Sequence, residues 1–377
     1  VKLTHPAEEP AHLTESTIRG FAETWNRSSK KLLIAGMMDP DPALNATLGK
    51  LAEDPSVVVL SETTSNLMND CSCPCIDRVV DTITEDEAES FRPELLVTFG
   101  GNVVSKMVKA YLRKYKPSEH WNIDPVDYSM NTYQCLTHGV EMSPLAFFEQ
   151  LQPRIKPVES NYTDLWTSRD NRSEQRHVEY LSNCEYSDLK VFEIMLDHIP
   201  ENSNVQLGNS TPVRYVQLFK QKKQHVYHAN RGTSGIDGTV STAAGAAYIN
   251  GKPTTLITGD LGFFYDSNAL MNHHLKGSLR IIIINNRGGG IFRFIPGPGE
   301  TEQLEEFFEA HHNWTAEYIA RNFNVPYYSV CNLEELSTTL PLFYQQQERG
   351  RPAILEIHTP GKKNARILSS YFNYLKE

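Results

Sequence analysis

The stretch from Thr254 to Asn286 restricts the fold of this chain more than any other. Thr254-Thr255-Leu256-Ile257-Thr258 is a short β-rich run that stops at Gly259-Asp260. Residues 279–284 form a second run, almost wholly apolar, that stops at Asn285-Asn286 and the glycine-rich Arg287-Gly288-Gly289-Gly290. Between them, Asp266 is placed to cap a helix over 267–276 and Gly277 to end it. Two strands joined through a helix lie parallel, because the crossover returns the chain to the edge where it began. Their carboxyl ends then share one edge of the sheet, the edge at which open α/β sheets bind ligands. Asp260 and Asn286 would meet there and offer hard oxygen atoms, the kind Mg²⁺ takes, often together with phosphate oxygens. Gly-Asp alone is also an ordinary turn, and Asn-Asn before glycines an ordinary loop. Both together, spaced by a β-α-β pattern, point to a metal and diphosphate site.

The rest of the chain fits around that unit. Its 377 residues suffice for about two or three domains. Residues 31–37, 56–60, 94–99 and 120–124 read as strands, with helical periodicity over 42–53 and 105–114, which makes a parallel α/β domain. Gly100-Gly101-Asn102 follows the third of these strands. It is either a phosphate cradle at a helix amino end or a plain turn, and it lacks the full Gly-x-Gly-x-x-Gly pattern. From 151 to about 185 the composition shifts: Pro153, Pro157 and a polar stretch read as a linker entering a helix. A second α/β domain follows, with a helix over 187–198, a strand over 205–207, the turn Gly208-Asn209-Ser210, and a glycine- and alanine-rich turn and helix over 235–250. The fold class is therefore α/β, two consecutive parallel-sheet domains, with boundaries at 1–155, a linker at 156–185, and 186–377.

A net charge of −10 argues against a nucleic-acid binder and leaves anion binding to local Arg and Lys. No apolar stretch reaches the length of a membrane span, and the isoleucines at 281–284 read as a buried strand. No signal peptide opens the sequence. In Cys71-Ser72-Cys73-Pro74-Cys75 the gaps are too short for a zinc-binding pair. A solvated loop of reduced thiols is expected, in a cytoplasmic chain. Gly208-Asn209-Ser210-Thr211-Pro212 breaks the Gly-x-Ser-x-Gly elbow at its last position. His273-His274 and His311-His312 lack the spacing and the Glu of a helical zinc site, so solvated helix faces are expected for both.

Gly259-Asp260 through Asn285-Asn286 resembles the thiamine-diphosphate signature, with Leu261 where glycine is commoner and Gly262 next. Gly208-Asn209-Ser210-Thr211-Pro212-Val213-Arg214, Asn230-Arg231-Gly232-Thr233-Ser234-Gly235-Ile236-Asp237-Gly238 and Asn285-Asn286-Arg287-Gly288-Gly289-Gly290-Ile291-Phe292 resemble one branch in particular. That branch is the 2-succinyl-5-enolpyruvyl-6-hydroxy-3-cyclohexene-1-carboxylate (SEPHCHC) synthases of menaquinone biosynthesis. The likeness covers the second domain; in the first it is mostly topological, to the middle, transhydrogenase-like domain.

The resemblance implies thiamine diphosphate with Mg²⁺ or Mn²⁺. Asp260 and Asn286 would bind the metal by side chain and Gly288 by its carbonyl, with Gly259, Leu261, Gly289 and Gly290 close to the cofactor. Ile236 would press between its two rings. Ile291 and Phe292 would line the reaction side. Ser210, Arg214 and Arg231 resemble polar and cationic contacts to cofactor and substrate. Lys106 resembles a substrate-binding Lys of the middle domain, followed by Met107 where Arg is common. Arg214 and Arg231 also read as surface ion pairs, and Ile236 and Phe292 as core.

The implied activity is a transferase reaction: decarboxylation of 2-oxoglutarate and addition of the resulting carbanion to isochorismate. Both substrates are dicarboxylates, which calls for Arg and Lys clamps. The Glu that activates the cofactor in this family belongs to an amino-terminal pyrimidine domain of a neighbouring subunit, in a homodimer or homotetramer. None of these 377 residues is a candidate for that catalytic role, so the chain is expected to be inactive alone. Two other classes stay open: a different thiamine-diphosphate 2-oxoacid decarboxylase or acetolactate-type synthase, and a non-catalytic cofactor-binding or assembly module.

Overall fold

The computed structural model describes residues 12–68, 72–222, 224–293, 297–345 and 350–377. The chain divides into two compact units, Val1–Ser173 and Glu174–Glu377.

The first unit is built on six parallel strands: β1 (Lys31–Ala35), β2 (Val57–Ser61), β3 (Ser72–Cys73), β4 (Leu95–Phe99), β5 (Glu119–Ile123) and β6 (His138–Val140). They lie in the order β3-β2-β1-β4-β5-β6. β1, β2 and β4 are buried along their whole length, as strands covered on both faces must be. Alternate residues divide between two cores. Leu33, Val59 and Val97 join Phe21, Trp25, Leu48 and Phe148 on one side. Leu32, Leu60 and Leu96 join Val79, Leu112 and Trp166 on the other. Each large side chain buried this way contributes roughly 1.5–3 kcal/mol.

Strand order reverses between β1 and β4, the place where such sheets usually take a ligand. Here the loops after β1 and β4 touch at the reversal, beside a pocket lined by Thr98, Gly100, Gly101, Asn122 and Asp124. Gly36 N–H donates to the Phe99 carbonyl (2.9 Å) and Gly101 N–H to that of Met37 (2.7 Å). A Cβ added at Gly36 would overlap the Gly101 carbonyl oxygen. Gly100-Gly101 is thus a closed turn. The helix after it, Lys106–Lys114, takes its cap from Ser105. Beside that cap, fully buried Glu62 accepts the Val104 and Ser105 N–H groups (2.6 and 2.7 Å). Burial pushes its carboxyl up to about 7, against the lowering effect of those two donors.

The second unit has a second all-parallel sheet: β7 (Asn204–Leu207), β8 (Val226–Ala229), β9 (Thr254–Gly259), β10 (Leu279–Asn285), β11 (Tyr327–Val330) and β12 (Ala353–His358). The order is β11-β12-β10-β9-β7-β8. β9 and β10 pair in parallel, with Gly259 opposite Ile284, so Asp260 and Asn286 do leave the same edge. Helix Thr239–Asn250 packs its small residues Ala243, Ala244 and Ala247 with Leu256, Ile281 and Ile283.

Several expectations are corrected. No α-helix covers 267–276; the chain turns helical at once over Asp260–Tyr265 and continues as a 3₁₀ turn over Ser267–Met271. Asp266 is no cap for it, because its carboxylate accepts from Ser241 N–H (2.6 Å) and Ser241 Oγ–H (2.7 Å) of the neighbouring helix. Cys73 and Cys75 are not solvated: both are buried, one in an edge strand beside Leu60 and one heading helix Ile76–Val80. Cys71 lies outside the described residues. His273 and His274 are exposed but in a turn, and His311-His312 lies in irregular chain with His312 buried. The polar stretch after Pro157 is largely the helix Tyr162–Ser182.

Candidate functional site

In the second sheet the order reverses between β7 and β9, and the four loops at that edge converge. Ser210, Ile236, Asp260, Leu261, Asn286 and the three glycines 288–290 line one crevice there, with Asn209 and Gly259. The segments are tied to one another. Asn209 Nδ2 donates to the carbonyls of Ser234 (2.5 Å) and Gly235 (3.1 Å). Its Oδ1 accepts from Arg231. Ser210, Ser234 and Arg287 all have positive φ, at 74°, 71° and 68°. Non-glycine residues held this way store strain that the surrounding structure must overcome, and such residues gather at functional sites.

Asp260 is 2 % exposed. Its Oδ1 accepts Leu261 N–H (2.7 Å) and its Oδ2 accepts Gly288 N–H (2.9 Å). His312 Nε2 lies 3.2 Å from the same Oδ2. Gly288 needs to be glycine twice over: its φ is 143°, and a Cβ there would overlap the Glu309 carbonyl oxygen. Gly289 N–H donates to that carbonyl (2.6 Å) and Gly290 N–H to that of Gly288 (2.9 Å). The N–H groups of all three glycines are therefore engaged within the protein. What the glycines offer a ligand is close backbone approach and carbonyl oxygens.

Asn286 is half-buried, and its amide donates to Asp188 Oδ2 (3.1 Å). Asp188 is 1 % exposed. Burial pushes its carboxyl up to about 6, although hydrogen bonds from Thr359 and Asn286 pull the other way. Two carboxylates, Asp188 and Asp260, are thus buried at one edge, each repelling the other's charge. No Arg or Lys ion pair to either is seen among the described residues. A cation would relieve that repulsion, and the oxygens present suit a hard one. No group of three or more His, Cys, Asp or Glu forms a cage among the described residues. Two side chains cannot complete an octahedron, so further oxygens must come from carbonyls, water or a ligand such as diphosphate. The residues fit a metal shared with a bound phosphate group.

The other expected residues lie around this crevice or elsewhere. Ile291 and Phe292 form the 3₁₀ turn Gly290–Arg293; both are half-buried, and the Phe292 ring stands 5.6 Å from Phe308. Arg293 forms ion pairs with Glu309 and Glu305 that latch this turn to the π-helical turn Leu304–Phe308. Arg214 is half-buried on helix Thr211–Val216, one turn beyond Ser210. Lys106 is an exposed first residue of its helix in the first unit. Three participants escaped the sequence reading: Asn209, Asp188 and His312. Ser187-Asp188 carried only a helix-start signal, and the two histidines carried no spacing at all.

A parallel sheet whose order reverses beside an acid and an amide on neighbouring loops is the arrangement that the thiamine-diphosphate signature in the sequence calls for. A sequence profile described as "Middle domain of thiamine pyrophosphate" matches residues 9–206. Curated relatives narrow the class. The chain is 42 % identical over 376 residues to the SEPHCHC synthase of Christiangramia forsetii, covering 98 % of this chain and 65 % of that one. It is 41 % identical to that of Flavobacterium psychrophilum, covering 100 % and 71 %. It is 37 % identical to that of Porphyromonas gingivalis, covering 98 % and 64 %. The chain belongs to the SEPHCHC synthase family. It spans about two thirds of the length of these relatives.

Proposed function

We propose that the protein carrying this chain condenses 2-oxoglutarate with isochorismate, with loss of carbon dioxide, using thiamine diphosphate and Mg²⁺ or Mn²⁺ at the β7/β9 crevice. The observation that carries this reading is the meeting of Asp260, Asn286 and the Gly288 turn at the reversal of the second sheet, beside a buried carboxylate pair with no Arg or Lys ion pair among the described residues.

Asp260 and Asn286 would hold the metal by side chain and Gly288 by its carbonyl. When bound, the cofactor supplies an electron sink for the decarboxylation. The chain's own residues then bind and orient. Ile236, half-buried on the crevice wall, would brace the cofactor, with Ser210, Gly259, Leu261, Gly289 and Gly290 around it. Ile291 and Phe292 would shield the reacting side from water. Arg214, Arg231 and Lys106 would neutralise substrate carboxylates; Arg231 is held by Asn209, which limits the freedom it must lose on binding. We assign residues 1–155 to the middle domain, 156–185 to the linker and 186–377 to the diphosphate-binding domain. A cytoplasmic homodimer or homotetramer is part of the same reading.

The test is calorimetry with thiamine diphosphate and Mg²⁺, on the full protein and on its Asp260→Ala variant. Heat of binding in the first and none in the second supports the site; no binding in either removes it. Substrate choice is read in the full protein by carbon dioxide release. Release from 2-oxoglutarate and not from pyruvate is expected. The reverse would favour a different 2-oxoacid decarboxylase.

A further inference from the structure

Each of the two side chains proposed to bind the metal is touched by a buried ionisable residue from elsewhere in the fold. Asp188, the first residue of helix Asp188–His198, is anchored on three sides. Its N–H donates to Asn364 Oδ1 (2.9 Å), its Oδ1 accepts from Thr359 Oγ1 (2.6 Å), and its Oδ2 accepts from Asn286 Nδ2 (3.1 Å). A carboxylate can only accept, so the amide nitrogen of Asn286 must face it. The amide oxygen is thereby turned away from Asp188.

His312 does the matching work on Asp260. Trp314 N–H donates to its Nδ1 (3.1 Å), so the neutral ring carries its proton on Nε2. That nitrogen is buried, lies 3.2 Å from Asp260 Oδ2, and makes no hydrogen bond of good geometry among the described residues. The ring is clamped, stacked on Trp314 at 4.8 Å and edge-on to Phe264 at 5.5 Å. A clamped ring that holds Nε2 3.2 Å from a carboxylate oxygen, off the line of a hydrogen bond, limits which rotamer that carboxylate can take.

We propose that Asp188 and His312 are the positioning residues of the metal site, Asp188 setting the amide orientation of Asn286 and His312 the carboxylate orientation of Asp260. The proposal rests on the reading that Asp260 and Asn286 are the ligands. Partners of this kind, one step out from the metal, are typically worth 10–100-fold in metal affinity.

The experiment is Mn²⁺ binding by electron paramagnetic resonance, with thiamine diphosphate present, in the full protein. Asp188→Leu removes the acceptor at similar size, and His312→Phe keeps the stacked ring without its proton. Each is expected to weaken Mn²⁺ binding about 10–100-fold. Asp188→Asn and His312→Gln, which can restore one acceptor and one donor, are expected within about threefold of the parent, a rescue that a purely packing role does not predict. If the Leu or Phe variant fails to fold, Asn286→Asp takes its place. Facing Asp188, the new carboxylate should weaken Mn²⁺ binding although it adds charge to the site. Adding Asp188→Asn should restore binding. Parent-like Mn²⁺ affinity in Asp188→Leu and His312→Phe, with Asp260→Ala still defective, overturns the positioning roles and leaves the ligand reading intact. Parent-like affinity in Asp260→Ala overturns the ligand reading itself.

Discussion

The two sheets of this chain pose the same structural opportunity and answer it in opposite ways. Each has six parallel strands and one reversal of strand order, and each reversal opens a gap at the carboxyl edge. In the first sheet, Gly36 and Gly101 bring two loop backbones into contact and extend the β1–β4 ladder past the strand ends. In the second, side chains rather than backbones join the loops around the crevice: Asn209 ties two of them at one wall, and Asp260 ties the glycine turn at the other. Topology supplies the place for a site. How closely the loops approach there depends on a few residues immediately after the strands.

The largest effect is expected from Asp260→Ala. If Asp260 is a direct ligand, as proposed, its loss should weaken metal-dependent cofactor binding by more than the 10–100-fold expected for an outer partner. The first unit should be untouched, as read by the melting of its buried tryptophans. Next comes pH. Glu62 keeps a raised folded-state value of about 7, above its ordinary 4.5. Between those limits the native state holds the extra proton, so the stability Glu62 adds is complete below about pH 4.5 and lost as pH rises through 7. The loss should reach about 3 kcal/mol. Denaturant titrations at pH 5, 6.5 and 8 should show it, and Glu62→Gln should flatten the profile; an unchanged slope in that variant would exclude Glu62 as the cause.

Gly36→Ala should cost the first unit about 1–3 kcal/mol by forcing the two loops apart, with cofactor affinity unchanged. Altered affinity would show that the closed crevice matters to the open one. The smallest effect is expected from Asn209→Ala. Loss of the loop tie should lower stability by about 1–2 kcal/mol and weaken cofactor binding severalfold. Binding at parent strength would mean that the Ser210 and Arg231 loops hold their places without it.

Much of this was readable from the sequence because it depends on local pattern. The β-rich run ending at Gly259-Asp260 and the isoleucine run ending at Asn285-Asn286 sufficed to place an acid and an amide at one sheet edge. The motifs around Ser210, Ile236 and Gly288 sufficed to fill in the loops. What the pattern did not carry is long-range. Asp266 looked like a cap because Asp before Ser usually is one; Ser241, on another helix, takes its carboxylate instead. Cys73 and Cys75 were expected in a solvated loop once their spacing had ruled out a zinc pair, yet β3 and the helix start draw them inward. His312 and Asp188 reach the site across 52 and 98 positions of chain, and no spacing rule links such pairs.

Glu356 has a consequence of a different kind. From β12 its buried carboxylate gathers Asn285 Nδ2 (2.7 Å), Thr315 Oγ1 (2.8 Å), Ala316 N–H (3.0 Å) and Tyr327 O–H (2.6 Å). The turn carrying Asn286 is therefore anchored to a strand made well after β9 and β10. On the ribosome, β9 and β10 can pair early, but the pocket they border stays unset until β12 slides in beside them. Acquisition of the cofactor should then wait for β12, and a nascent chain halted before Ala353 should emerge unable to retain it.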